Sequence, residues 1–534
     1  MKIRAETLRV FTTVHTWSGL IAGMALFIAF YAGALDMFYG SIQRWSDPEQ
    51  RYEQPVADDA LQRLVSDAYA RYPEAIGERF FLHLPGPGVT QPILEWRDGI
   101  GREVNAYTIT SPGAEPVERD HEAHTRLADF VDELHFTLGL PVQFGRYLLG
   151  VICIVFGVAL VSGIVIHLPR LVRDLFALRP GRNRKRFWLD AHNVVGILGL
   201  PFHLMFMITS ALFTINIVAI LGANTLVYHN ALGPAIDELT EIAHHREETG
   251  VKVPMVSIDA LVEKARTVIP DLQPDTVIAE HYGDQHTDIT VRGAVPRTML
   301  HEALVIFDGA TGEVRGYDHP ADSRPSQIAV NSVQSLHFGD FGGPVVRWLY
   351  FFLGLSGAWL FYTGNLLWIE SRRRRRHAEQ PRHHRWLAGA TVGVCVGCML
   401  GLSAAFVANR LLPVDLPMRA LWETRVYFIA FFGAIAWALW RPPIRAATEL
   451  LAATALATAL IPITNGITTG DWLWQSAASG LWPIFGVDAV AAAGAIAFAL
   501  MAWASARRGR HGTENSVWHA TAAADSRHAA EGTA

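Results

Sequence analysis

Two stretches decide the fold: HTWSGLIAGMALFIAFYAGAL from His15 to Leu35, and HNVVGILGLPFHLMFMITSAL from His192 to Leu212. Each is an apolar run long enough for a helix that crosses a hydrocarbon core. They align without a gap, His15 on His192, Gly19 on Gly196, Gly33 on Ser210 and Leu35 on Leu212. A second pair repeats in the same way. LHFTLGLPVQFGRYL from Leu134 matches LHFGDFGGPVVRWLY from Leu336, with one residue fewer between His and Arg. Arg146 and Arg347 then stand at equal spacing before Ser162-Gly163 and Thr363-Gly364. One unit, a span followed by a polar segment and a second span, therefore occurs twice.

The polar segments also correspond. Asp59-Ala60-Leu61 opens a helix-like stretch that ends at Tyr72-Pro73, and Asp259-Ala260-Leu261 opens one that ends at Ile269-Pro270. Alternating strand-like runs with glycine-rich turns follow each, so each segment is expected to be a small α+β domain.

Apolar runs at 11–38, 146–168, 191–221 and 345–369 predict the four spans of the repeat, and runs at 386–411, 424–440, 446–464 and 481–504 predict four more. The expected organisation is a first span in 1–40, a polar domain in 41–140, spans two and three in 141–221, and a second polar domain in 222–340. A fourth span in 341–375, four further spans in 376–505 and a disordered tail in 506–534 complete it. The fold class is thus a polytopic α-helical membrane protein of about eight spans.

Basic residues sort the two sides. Lys2, Arg4 and Arg9 precede the first span, RLVRDLFALRPGRNRKRFW joins the second to the third, and Arg372–Arg376 follow the fourth. With RPPIR and RRGR further on, all fall on one side, which the positive-inside rule makes cytoplasmic, together with both termini. Membrane topology accounts for these runs, and no nucleic-acid partner is expected. The three cysteines, Cys153, Cys395 and Cys398, lie in apolar runs, and no Cys-x-x-Cys-His attaches a haem.

The histidines carry the chemistry. Parallel repeats are related by an axis along the membrane normal, which sets His15 against His192 near the cytoplasmic surface and His135 against His337 near the outer one. A planar cofactor with two axial imidazoles suits each pair, and haem iron accepts such ligands. His203 stands eleven residues after His192 and would share its helix face, but its repeat partner is Leu26; His167 has no counterpart either. Arg146 and Arg347 suit either haem propionates or interfacial anchoring.

These residues resemble the PepSY-associated transmembrane family, whose members include iron-regulated, siderophore-linked inner-membrane proteins. The H-x3-G opening, the LHF…G…R spans and the D-A-L helices carry the resemblance over residues 5–375. It implies two periplasmic PepSY domains, two b-type haems in a four-helix bundle of a bacterial inner membrane, and a membrane-bound ferric reductase acting on a ferric siderophore or chelate. No G-x-G-x-x-G or flavin domain is evident, which leaves a membrane quinol or a partner protein as the donor. Two other functions stay open: a non-enzymatic PepSY module that regulates a periplasmic protein, and a siderophore or iron transporter.

Overall fold

Backbone in a bilayer has no water to bond to, so apolar runs close their hydrogen bonds internally as helices. The computed structural model of the chain describes residues 4–47, 51, 59–86, 91–97, 104–108, 115–119, 125–175, 178–179, 184–229, 246–296, 302–323, 325–373, 380–513 and 515–519. Its principal helices, in chain order, are α1 (Ala5–Asp36), α2 (Ala60–Arg71), α3 (Leu127–Thr137), α4 (Val142–His167), α5 (Arg184–Leu198) and α6 (Leu200–Leu226). They continue as α7 (Ile258–Val268), α8 (Pro325–Phe338), α9 (Gly343–Ser371), α10 (Arg382–Leu411), α11 (Arg419–Trp440), α12 (Pro443–Thr469) and α13 (Trp482–His511).

Among the described residues six helices are long and apolar enough to cross a membrane, α1, α4, α9, α10, α12 and α13; α5 and α6 make a seventh if the pair is one span. Two expectations change here. The run at 191–221 is not one straight helix: it breaks at Gly199 and bends by 63°. Pro201 has no N–H to donate back to Ile197, and its ring crowds the preceding turn. The run at 424–440 falls in α11, whose first turns bring Arg419, Glu423 and Arg425 and dilute its apolar character. The expected count of eight is therefore six or seven. The tail also differs: α13 continues to His511, and Val517, Trp518 and His519 are buried. Residues 520–534 of the expected disordered tail lie outside the described residues.

The chain divides into a helical unit (Met1–Ile42, His124–Ile215, Trp348–Ala534) and a sheet unit (Gln43–Ala123, Asn216–Arg347). In the sheet unit the two polar segments do not form separate domains. Their strands, β1 (Arg79–His83), β2 (Ile93–Arg97), β3 (Val104–Thr108), β4 (Val117–Arg119), β5 (Gln273–Glu280), β6 (Asp288–Ala294), β7 (Glu302–Asp308) and β8 (Val314–Asp318), make one antiparallel sheet. Its order is β4-β3-β2-β1-β5-β6-β7-β8. The halves join where β1 pairs with β5, with Phe81 opposite Ile278. Counting from Pro73 and Pro270, Phe81 and Ile278 are equivalent residues of the repeat, so the pseudo-two-fold axis passes between them. Alternate strand residues such as Phe80, Leu82, Val277 and Ala279 share one core with the apolar faces of α2 and α7. The two helices are tied together: Gln62 N–H donates to Asp259 Oδ2 at 2.9 Å, and Ile258 N–H donates to Gln62 Oε1 at 2.9 Å.

In the helical unit small residues set the packing. A Cβ on Gly357 of α9 would meet the Phe30 ring of α1 at 2.4 Å, and one on Gly157 of α4 would meet Met207 of α6 at 3.1 Å. Phe30 and Met207 are equivalent positions, so each copy presents a large side chain to a glycine notch in the other. With α1 on α4 and α5 on α9 through the histidines below, the four spans of the repeat close into a bundle.

Candidate functional site

The small-residue pairs of the repeat are sockets for histidines. His15 on α1 donates from Nδ1 to the Ala159 carbonyl of α4 at 2.8 Å. A Cβ on Gly163 would stand 3.2 Å from its ring, so glycine lets the imidazole lie against the helix. His192 on α5 meets α9 in the same manner. Its Nδ1 lies 3.2 Å from Thr363 Oγ1, and a Cβ on Gly364 would be 3.5 Å from Cε1. The Thr363 hydroxyl already donates to the Trp359 carbonyl at 2.9 Å, so the imidazole is the donor. Both rings therefore hold their proton on Nδ1 and carry the lone pair on Nε2. That is the tautomer of a metal-ligating histidine whose second nitrogen is fixed by a backbone or side-chain oxygen.

His15 and His192 line one cavity of about 510 Å³ within the bundle, and so do His203 and His167. The volume is in the range of sites that take small molecules and cofactors. Its walls are mostly apolar, from residues such as Leu26, Phe156, Leu200, Leu360 and Phe361. His203 is fully buried, and among the described residues neither ring nitrogen has a hydrogen-bond partner. Phe30, Phe156 and Phe202 surround the ring edge to face at 5.9–6.4 Å. An unsatisfied buried imidazole costs about 1–3 kcal/mol. Gly199 makes room for it, since a Cβ there would be 2.8 Å from Cε1. The bend at Gly199 also replaces the shared helix face expected for His192 and His203: they reach the cavity from two helices, α5 and α6.

Lys185 and Arg372 line this cavity as well, the latter 4.3 Å over the Trp368 ring. Both belong to basic runs that the sequence explains by topology alone, so nothing in spacing singled them out. The arginines that the repeat did single out lie elsewhere. Arg146 donates from Nη2 and Nε to the Phe213 carbonyl at 2.6 and 3.2 Å, and Arg347 is exposed in the sheet unit.

The second expected pair is carried on short helices rather than on the spans. His135 lies on α3 and donates from Nδ1 to the Ala29 carbonyl of α1 at 2.8 Å. Gly33 is obligatory there, because a Cβ would stand 2.5 Å from that nitrogen. His337 is buried on α8 in the sheet unit, its ring 5.4 Å from that of Phe338. Cys153, Cys395 and Cys398 are buried free thiols. Among the described residues no three His, Cys, Asp or Glu side chains could hold a bare metal ion.

A family model described as "PepSY-associated TM region" matches residues 12–371. A Pseudomonas aeruginosa protein described as uncharacterized is 26% identical over 380 residues, which cover 68% of this chain and 85% of the relative.

Proposed function

This chain belongs to the PepSY-associated TM family, and from that membership and its histidine cavity we propose that it is a haem-b electron carrier that reduces an acceptor across a membrane. The observation that carries the proposal is the cavity itself: His15 and His192 with Nε2 lone pairs, and His203 with no hydrogen-bond partner among the described residues, inside an apolar bundle. The donor set fits a porphyrin iron, since imidazole nitrogens in an apolar setting are its common axial ligands. When bound, haem b supplies a one-electron iron couple in a medium that excludes water.

The residues do the remaining work. The Ala159 carbonyl and the Thr363 hydroxyl fix ring orientation and keep the lone pair on Nε2. Lys185 and Arg372 are cations available to carboxylates entering this cavity. His135, fixed by Ala29, is proposed to ligate a second haem. The favoured acceptor is a ferric siderophore or other ferric chelate, and the donor a membrane quinol or a partner protein. Hard oxygen chelators hold Fe(II) less well than Fe(III), so reduction would release the metal. The setting proposed is a bacterial inner membrane, with both termini cytoplasmic and the sheet unit periplasmic.

A pyridine haemochrome assay on the purified full chain tests this directly. Red protein is expected, with a Soret band that shifts on dithionite and a haem content that falls in His15→Ala. Colourless protein from cells supplied with haem would overturn the proposal and return the chain to a protein-binding role.

A further inference from the structure

The family match ends at residue 371, yet the helices after it do more than fill membrane. We propose that α11 is a brace for α3, the helix that carries His135, and that Glu423 is its positioning residue. The proposal rests on the reading of His135 as a cofactor ligand only for its functional consequence; the brace itself is a matter of geometry within the helical unit.

A helix of eleven residues begins with four backbone N–H groups that no residue of its own accepts. In α3 two of these, the N–H groups of Arg126 and Leu127, are served from outside the helix. Glu423 Oε2 accepts from the Arg126 backbone N–H at 3.2 Å and from the Thr125 hydroxyl at 2.8 Å. Thr125 Oγ1 in turn accepts from Leu127 N–H at 3.1 Å. The carboxylate's second oxygen accepts from Asn409 Nδ2 at 2.7 Å and from Arg419 Nη1 at 2.9 Å. Asn409 Nδ2 also donates to Thr125 Oγ1 at 2.9 Å, and Arg419 Nη2 donates to the Asn409 carbonyl. Glu423 and Asn409 are each 1% exposed, Arg419 8% and Thr125 9%, so this network has little water to fall back on. A negative group at a helix N-terminus also meets the favourable end of its dipole.

The same helix grips α3 further along. Phe130 packs edge to face on Tyr427 at 4.9 Å and on Phe428 at 5.9 Å. The turn after α3 has Leu138 and Gly139 at positive φ, and a Cβ on Gly139 would be 3.1 Å from the Phe428 ring. Residues 423 and 427 lie one turn apart on one face of α11 with 428 beside them, and the three meet the start, the middle and the end of α3. At the far side His135 is bonded to Ala29 of α1, so α3 is held between α1 and α11. A ligand histidine works only when its ring is held in place by surroundings that do not move.

Hydrogen exchange of the full chain in nanodiscs tests the brace. In Glu423→Ala the amides of 127–137 should exchange at least about tenfold faster, with those of α4 and α12 unchanged. In haem-loaded protein the spectrum or potential of one haem should shift while the other keeps its own, and Glu423→Gln should recover part of both effects. Unchanged exchange at 127–137 in folded Glu423→Ala overturns the brace. If that variant does not fold, Thr125→Val removes one hydroxyl and leaves the Arg419–Glu423 pair; a rise of roughly threefold supports the brace and none overturns it. Wild-type protein without haem would sink the proposed function, and the exchange result would then decide the brace alone.

Discussion

The duplicated unit keeps its symmetry in the sheet and loses it in the helices. In the sheet unit Phe81 faces Ile278 across the axis, and strands on both sides continue in mirrored order. In the helical unit α1 is one unbroken helix, whereas its counterpart splits at Gly199 into α5 and α6. His203 has Leu26 as its equivalent, and Arg146 binds a carbonyl while Arg347 is exposed. A sheet core filled from both halves has a packing reason to stay symmetric, because each residue is tuned to its neighbours at close-packed density. Under the proposed function the direction of electron transfer would give the helical halves a reason to differ.

The largest effect should come from the part of the helical unit that is still symmetric. His15→Ala and His192→Ala should each lower bound haem by about half and give matching difference spectra, since the two share one cavity. Divergent spectra would mean that the asymmetry reaches the ligands themselves. Next is Gly33→Val, which drives a side chain into the space of the His135 ring and breaks its bond to Ala29. Loss of such a supporting bond costs roughly tenfold to a hundredfold in metal-site affinity. Gly433→Ala, where an added Cβ meets nothing within 4 Å, is the control. Equal haem retention in both variants would remove His135 from the proposed second site.

A smaller change is expected from His203→Leu, which restores the residue of the other copy. If the imidazole faces a bound group, the spectrum of the inner haem shifts and its retention falls several-fold. If nothing binds there, the variant loses an unsatisfied buried group and gains about 1–3 kcal/mol of stability. A higher melting temperature with an unchanged spectrum would therefore assign His203 to packing.

These contrasts also explain what could be read from the chain. The duplication was legible because His15 and His192 recur in identity and the small pairs Ser162-Gly163 and Thr363-Gly364 recur at fixed spacing. That those pairs are sockets for the histidines was not, because contact between helices leaves no periodic mark. The bend was written in Gly199-Leu200-Pro201, but an apolar run that continues across it reads as one span. Joining of the two α+β segments was hidden for another reason. β1 and β5 alternate in the same way whether they end a small sheet or meet at the centre of a large one. Charge was the remaining blind spot. Arg419 and Glu423 thin the apolar signal of α11 because they serve α3. Lys185 and Arg372 looked like topology signals while also lining the cavity.

The smallest predicted effect sharpens the comparison inside the sheet, where symmetry is best kept. The turn between β5 and β6 contains Asp284, fully buried, while the corresponding stretch of the first copy reads Pro85-Gly86-Pro87-Gly88 and has no carboxylate. Burial alone would raise the Asp284 pKa. It is outweighed by the backbone N–H of His286 at 2.8 Å, that of Thr249 at 3.2 Å and the Thr249 hydroxyl at 2.9 Å, which pull it from the ordinary 3.8 down to about 2. The folded state thus holds its proton less tightly than the unfolded one. The stability this group adds is present in full above pH 4 and drains away as pH falls through the interval down to about 2. Brief pepsin digestion across that interval should cut first within 246–323, on the β5–β8 side, and later within 59–119. Asp284→Asn should be cut more readily than wild type at pH 4 and should lose most of the pH dependence, because it has no charge to remove. Simultaneous cleavage of both halves in wild type would show instead that the shared core fails as one cooperative body, with Asp284 too small a contribution to decide where opening begins.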